Sequence, residues 1–299
     1  MAVIRNVAVA GASGNIGSIV VKALLQANFN VTVLTRSQKT GAYDSKIKVA
    51  EVDFTSLSSL TSALQNQDAI VSTLGKAGLE TQNLLIDAAI AAGVQRFIPS
   101  DYGVCTTSPK VSGFPFYSTL ATVRKYLEDK AAAGALSYTI VAIGSFLEYV
   151  LMTPQVVNFK EHSVTLMDEG KNRISTSPLA SIGTAVAGVF KNPDETKNRV
   201  VYVSATILTQ KQIFDIAKEI KPEITWTVSN IKASDILKEG LDAVASGDGG
   251  FQAIGNILIG TAFGGEEYGC AYDNNDNALL GIEPITHETL KSLIAAQLN

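Results

Sequence analysis

A doubly wound α/β fold, with a parallel sheet covered by helices on both faces and a smaller C-terminal α/β lobe, is what this sequence predicts. Three observations predict it. Short, nearly continuous apolar runs alternate with amphipathic segments about six times in the first half of the chain, as strands of a parallel sheet buried on both faces do. The first run, residues 3–10, breaks at once into Gly11, Gly14 and Gly17, and a helical pattern opens at Asn15. Apolar residues make up 46% of the chain against 17% charged, ample for a packed core.

The stretch VAVAGASGNIG at 7–17 reads as strand, tight glycine turn and helix, the context in which a glycine spacing points to a dinucleotide. Gly11 lets the chain turn, Gly14 lets backbone N–H groups approach a pyrophosphate, and Gly17 lets the helix lie close to the strand. The helix runs from 15 to about 27, with Ile16, Val20, Ala23 and Leu24 on one face. A second strand, 30–35, ends at Arg36. In dinucleotide folds an acid at this place binds the ribose 2′-hydroxyl, whereas arginine suits a 2′-phosphate. Arg36, helped by Lys39, therefore favours NADP over NAD; the alternative is a solvated pair at a strand end.

A third strand, 47–54, brings Asp53 and Phe54 to where an adenine lies, although an aspartate there is also an ordinary turn residue. A helix at 56–66 and a fourth strand at 67–74 follow, the strand closing on Gly75, Lys76, Ala77 and Gly78. Ligands bind at the carboxyl ends of parallel strands, so Leu74, Gly75 and Lys76 border the crevice. The helical segment 80–92 carries Gln82, and the fifth strand, 94–99, exits through Ser100, Asp101, Tyr102 and Gly103. A long loop to about Phe116, a helix at 122–133 and a sixth strand at 137–143 complete the pattern. Beyond it, 163–167, 174–177 and 200–204 read as strands, and 181–190, 209–219 and 233–245 as helices. Residues 246–276 are crowded with glycine and carry no phosphate-loop pattern. They are either a mobile wall over an aromatic substrate or a loosely ordered surface excursion.

The 299 residues carry a formal charge of −4, which argues against a nucleic-acid or anionic-membrane surface. No apolar run approaches a membrane span and the first ten residues lack signal-peptide architecture, so a cytoplasmic, soluble chain is expected. Cys105 and Cys270 are too few for a disulfide framework and fit a reducing compartment as buried thiols. The two histidines, His162 and His287, are far apart, which makes a histidine metal site or a hydrolase triad an unattractive reading; no metal is expected.

Several segments resemble the NmrA-like, isoflavone-reductase-like branch of atypical short-chain dehydrogenases. They are GASGNIG at 11–17, Arg36, GVQRFIPSDYG at 93–103, YTIVAIGSF at 138–146, and the ending that runs from Leu280-Gly281-Ile282-Glu283-Pro284 to Thr289-Leu290. The resemblance implies an NADP(H)-binding Rossmann domain at 1–153, with 178–204 returning to it. It also implies a smaller substrate-binding lobe at 154–177 and 205–299. Gly11, Ser13, Gly14, Asn15, Ile16, Gly17, Arg36, Lys39, Asp53, Phe54, Leu74, Gly75, Lys76, Gln82, Ser100 and Phe146 are then the candidate cofactor-binding residues. Catalytic members of the branch deliver hydride to phenolic metabolites; others, NmrA among them, bind dinucleotide and regulate a transcription factor without turnover. The implied partner is a small aromatic or polyketide-like secondary metabolite or a regulated protein, with the chain a monomer or homodimer.

One departure bears on activity. The branch's reductases carry a lysine three residues before a Val-Arg pair, and alignment on Val123-Arg124 puts Leu120 there, a side chain that can neither donate a proton nor hold an oxyanion. The tyrosine–lysine pair of ordinary short-chain dehydrogenases is also missing, since Tyr117 is followed at that spacing by Ala121. Candidate donors are then Tyr117, Tyr102, Lys76 and Ser100. Either tyrosine acts as an acid only if a nearby cation lowers its pKa; the alternative for each is a buried hydroxyl satisfying a backbone carbonyl. Three functions follow from this: an NADPH-dependent reductase lacking the family lysine, a dinucleotide-sensing regulator without turnover, or a cofactor-bound isomerase or cyclase.

Overall fold

The computed structural model describes residues 3–37, 44–75 and 78–298. In chain order the elements are β1 (Asn6–Ala10), α1 (Asn15–Gln26), β2 (Asn30–Thr35), β3 (Lys48–Glu51), α2 (Leu57–Ala63), β4 (Ala69–Ser72), α3 (Gln82–Ala91) and β5 (Arg96–Ile98). Next come α4 (Tyr117–Ala132), β6 (Ser137–Ala142), β7 (Ser145–Phe146), α5 (Leu147–Met152), β8 (Ser163–Met167), β9 (Arg173–Ser177), α6 (Ala180–Lys191) and β10 (Arg199–Tyr202). The chain closes with β11 (Thr206–Thr209), α7 (Gln210–Ile220), β12 (Thr227–Ile231), α8 (Ala233–Ala245), α9 (Phe251–Ala262), α10 (Asn277–Leu280) and α11 (His287–Gln297).

Seven strands form one parallel sheet in the order β10-β6-β5-β4-β1-β2-β3. The apolar runs are continuous because both faces are buried. Val7 and Val9 of β1 point into a core shared with Val20 and Leu24 of α1 and Ile182 and Val186 of α6. Ala8 and Ala10 point the other way, into a core with Leu60 of α2, Leu85 of α3 and Leu127 of α4. The strand order reverses between β1 and β4, which opens a crevice at their carboxyl ends. Late in the chain β10 returns to pair with β6, Val201 lying opposite Val141.

A buried arginine locks that return. Arg96, on β5, is fully buried; its guanidinium donates to Ser137 (2.8 Å), Thr139 (2.8 Å), Thr196 (3.2 Å) and the Pro193 carbonyl (2.6 Å). These partners lie on β6 and on the turn before β10, so one side chain satisfies the polar groups where three strands begin.

The remaining elements build a second core. β7 and β11 flank β9, β12 pairs with β8, and Leu166, Ile174, Leu208, Phe214 and Ile294 pack between them and the helices α7 and α11. Among the described residues no helix is long and apolar enough to cross a membrane.

Two expectations are corrected here. The glycine-rich stretch 246–276 is not a loosely ordered excursion throughout, because residues 251–262 form α9, packed against α8. A glycine on each helix allows the contact: a Cβ on Gly260 of α9 would stand 2.6 Å from the Leu237 nitrogen, and one on Gly240 of α8 2.7 Å from the Ala253 carbonyl oxygen. Small residues therefore mark a close helix pair here, not a flexible chain. The cysteines are not separate thiols either. Cys105, in the loop after β5, and Cys270, after α9, are joined in a disulfide with their Cα atoms 5.0 Å apart. Both segments meet beside β9, where Ser175 N donates to the Cys270 carbonyl, a proximity that a sequence separation of 165 conceals.

Candidate functional site

The crevice is built from the glycine turn outward. Gly11 has φ +84°, and a Cβ there would stand 2.7 Å from the Thr73 carbonyl oxygen, so both backbone hand and space demand glycine. Gly14 N donates to Gly11 O at 3.0 Å, closing the turn, and a Cβ on Gly17 would fall 2.2 Å from the same oxygen. α1 therefore starts hard against the end of β1. Its N-cap, Gly14, offers no side-chain acceptor, and the first intrahelical bond is Ser18 N to Gly14 O. The N–H groups of residues 15–17 are thus without intrahelical partners, which makes the turn a ready anion site.

A cleft of about 1260 Å³ opens from this turn. Its lining includes Gly11, Ser13, Arg36, Phe54, Leu74 and Gly75, six of the residues picked out from the sequence. A second cavity of about 540 Å³ adjoins it and is bounded by Arg36, Asp53 and Phe54, with Arg36, Phe54 and Thr55 common to both. Arg36 and Phe54 thus stand together at one end, although they are 18 residues apart, because β2 and β3 are neighbours. Asp53 is held as a turn residue: Oδ1 accepts from Thr55 N (2.8 Å) and Thr55 Oγ1 (2.7 Å), which hold its pKa below the usual carboxylate value. Lys39 and Lys76 lie outside the described residues.

At the other end, β4, β5 and α3 are tied through Ser100. Its N–H donates to Gln82 Oε1 at 2.8 Å and its hydroxyl to the Leu74 carbonyl at 2.7 Å. Gln82 is fully buried, and its Nε2 has no hydrogen-bond partner. Phe146, half-buried, packs against the sheet core and sets its edge on Tyr149 at 5.6 Å.

Of the candidate acids, Tyr102 and Tyr117 are both buried. Tyr102 is buried, donates its hydroxyl to the Ser72 carbonyl at 2.9 Å, and is pushed well above the usual phenol range by burial and then by Asp101. Tyr117 is fully buried against Thr261, their hydroxyl oxygens 2.8 Å apart. The Thr261 proton goes to the carbonyls of Ile257 and Leu258, so Tyr117 is the donor in that pair. Burial, aided by Asp101, pushes Tyr117 up to about 12. Among the described residues no cation lowers either phenol, and the charge that acts on both is the Asp101 carboxylate. Arg124 is taken up by Asp101 at 2.7 Å and by the Thr106 carbonyl. Neither tyrosine lines the cleft, and the Ser100 hydroxyl is already committed. Leu120 is buried, with 3% of its surface exposed. His162 stacks edge-on with Trp226 in the second core, 5.6 Å between rings, away from the glycine turn.

Sequence reasoning missed two features. Thr73, just past β4, donates both N–H and Oγ–H to Ala10 O (2.8 Å each) and forms the surface against which Gly11 turns. Asn15 Nδ2 donates to the Tyr149 hydroxyl across 134 residues, a pairing no local pattern encodes.

With this geometry in place, a family model described as NmrA-like matches residues 5–238, most of the chain. The chain belongs to the NmrA-like family. Oxidoreductase aprR of Aspergillus flavus is 30% identical over 245 residues, covering 81% of this chain and 82% of that protein. Oxidoreductase poxI of Penicillium oxalicum is 28% identical over 285 residues, covering 92% and 88%. Among solved structures, isoflavone reductase superposes with a TM-score of 0.77 at 18% identity, covering 98% of this chain and 99% of that one. An NADPH-dependent quinone oxidoreductase of Escherichia coli, complexed with NADPH, gives 0.71 at 20% identity, covering 98% and 100%. These likenesses agree with the doubly wound fold read from the sequence.

Proposed function

We propose that this NmrA-like chain is an NADPH-dependent reductase of a small aromatic, phenolic or polyketide-type molecule, working without a lysine at position 120. The observation that carries the reading is the cleft itself: a glycine turn with free N–H groups at its base, Arg36 and Phe54 together at one end, and Leu74 and Gly75 at the end of β4. The names of the fungal oxidoreductase relatives and the NADPH complex of the bacterial neighbour support it.

In this proposal residues 1–153 and 178–204 hold the dinucleotide, while 154–177 and 205–299 cover the substrate. The return of β10 to the sheet and the separate second core support that division. The N–H groups of residues 15–17 take the pyrophosphate, and Arg36 takes the 2′-phosphate as a charge-assisted pair. Phe54 packs on the adenine and Asp53 borders it, while Leu74, Gly75, Gln82, Ser100 and Phe146 define the nicotinamide end. When bound, the dinucleotide supplies a hydride. The chain's own task is then to present a flat acceptor against that end, keep water out and stabilise the oxygen that gains negative charge. Tyr102, Tyr117 and Ser100 have committed hydroxyls, so we assign that last role to Lys76, which follows the cleft-lining Gly75 in sequence.

The test is absorbance of reduced nicotinamide with a panel of quinones and enones. Oxidation of NADPH by at least one acceptor, lowered at least tenfold by Lys76→Met, supports the reading; no oxidation with any bound acceptor overturns it. One observation favours a second reading, a dinucleotide-binding regulator without turnover. Position 120 is a buried leucine and both nearby phenols are closed off. That reading predicts NADP(H)-dependent capture of a partner protein and no turnover.

A further inference from the structure

The Tyr149 hydroxyl stands at the N-terminal turn of α1, and its proton has no acceptor among the described residues. The residue lies on α5 and is 44% exposed, one of few large apolar side chains so placed, yet its position is fixed from several directions. The neighbouring Glu148 carboxylate accepts the N–H of Leu179 at both oxygens, 3.1 and 3.0 Å, which pins α5 to the start of α6. α6 in turn lies directly on α1, where a Cβ on Gly183 would stand 2.7 Å from Ala23 Cβ. The Thr153 hydroxyl donates to the Tyr149 carbonyl at 2.6 Å, and the phenol ring meets Phe146 edge-on at 5.6 Å. The circuit closes where Asn15 Nδ2, on the first residue of α1, donates to the Tyr149 hydroxyl at 3.3 Å. Packing of three helices, and not side-chain reach alone, therefore sets this hydroxyl at the N-terminal turn of α1.

In that bond the Tyr149 oxygen accepts, so its proton remains to be donated. Beside it are the N–H groups of residues 15–17, donors that have no intrahelical acceptors and call for the same kind of partner. We propose that Tyr149 is a positioning residue that donates its hydroxyl proton to a phosphate oxygen of the dinucleotide, strapping it from α5 while the glycine turn holds it from β1. This inference rests on the dinucleotide reading above. A hydroxyl hydrogen bond to a charged oxygen at a partly exposed site is worth about tenfold in affinity.

The experiment is equilibrium titration of NADP+ and of 2′-AMP into the wild-type chain and Tyr149→Phe, with urea unfolding of both proteins alongside. NADP+ carries the pyrophosphate; 2′-AMP carries only the adenosine end. The expected result is NADP+ binding weakened about tenfold in the variant, with 2′-AMP binding and the urea midpoint unchanged. Equal NADP+ affinity in the two proteins overturns the strap. So does parallel weakening of both compounds with a lowered urea midpoint, which marks the hydroxyl as a support of the fold. A wild-type chain that binds neither compound overturns the dinucleotide reading, and the strap with it.

Discussion

Replacing Gly17 with alanine tests the glycine turn at its tightest point. The added Cβ would lie 2.2 Å from the Gly11 carbonyl oxygen and 2.7 Å from Ala12 Cα, both backbone atoms with no rotamer to yield. Ordinary carbon–oxygen contact needs roughly one ångström more, so α1 must move away from β1. That movement is opposed on the other side, where α6 presses Gly183 against Ala23 and Ile19 of α1. Overpacking of this kind costs about 1–3 kcal/mol, and the upper end applies because backbone is hit from both directions. Displacing α1 also carries its N–H groups away from the turn, so NADP+ affinity should fall by more than about tenfold. Urea unfolding gives the first quantity and calorimetric titration the second. Gly113→Ala is the control, since a Cβ there meets nothing within 4 Å. A Gly17→Ala protein that unfolds at the wild-type urea midpoint and binds NADP+ normally would refute the geometric argument.

Three further substitutions or titrations follow. In α9, Gly260→Ala should destabilise by about 1–3 kcal/mol, because the Cβ would lie 2.6 Å from Leu237 N. Gly255→Ala, with open space around it, should stabilise by up to about 1 kcal/mol; the same sign for both in urea unfolding would contradict the close helix pair. Arg96→Met removes four donated hydrogen bonds, to the Ser137, Thr139 and Thr196 hydroxyls and the Pro193 carbonyl, and should cost about 3–5 kcal/mol, and a loss below about 1 kcal/mol would show that the network adds little. Tyr117 is pushed up to about 12 from an ordinary value near 10. A phenol with a higher pKa folded than unfolded holds its proton more tightly when folded, so its stabilising contribution is complete below about pH 10 and is lost as pH rises through about 12. Tyr117→Phe should therefore remove one late tyrosinate from an ultraviolet titration; an unchanged alkaline curve would contradict its burial.

The parallel sheet was legible because burial on both faces leaves its mark on every residue of a strand. Val7, Val9, Ala8 and Ala10 are all apolar whichever core they enter. Edges were less so: β3, at the sheet border, is Lys48–Glu51, shorter than the apolar pattern at 47–54. α9 was hidden because its glycines resemble those of a loop, and only the partner helix α8 explains them. At the site, glycine spacing and strand ends placed Gly11, Arg36, Phe54 and Leu74 along one cleft, since a parallel sheet brings successive strand ends together. The tyrosines were not legible in this way. Whether Tyr117 points to a cleft or to Thr261, 144 residues later, depends on packing that no local pattern records. The Cys105–Cys270 bond and the Asn15–Tyr149 contact have the same origin.

The central claim is that the cleft holds a 2′-phosphorylated dinucleotide through Arg36. Calorimetric titration of NADP+ and NAD+ into the wild type and Arg36→Ala tests it most directly. A charge-assisted pair with the 2′-phosphate predicts that the wild type prefers NADP+, and that the variant loses about ten- to a hundredfold of NADP+ affinity while NAD+ binding stays as it was. Equal wild-type affinity for the two dinucleotides, or NADP+ binding unmoved by the loss of Arg36, would contradict it.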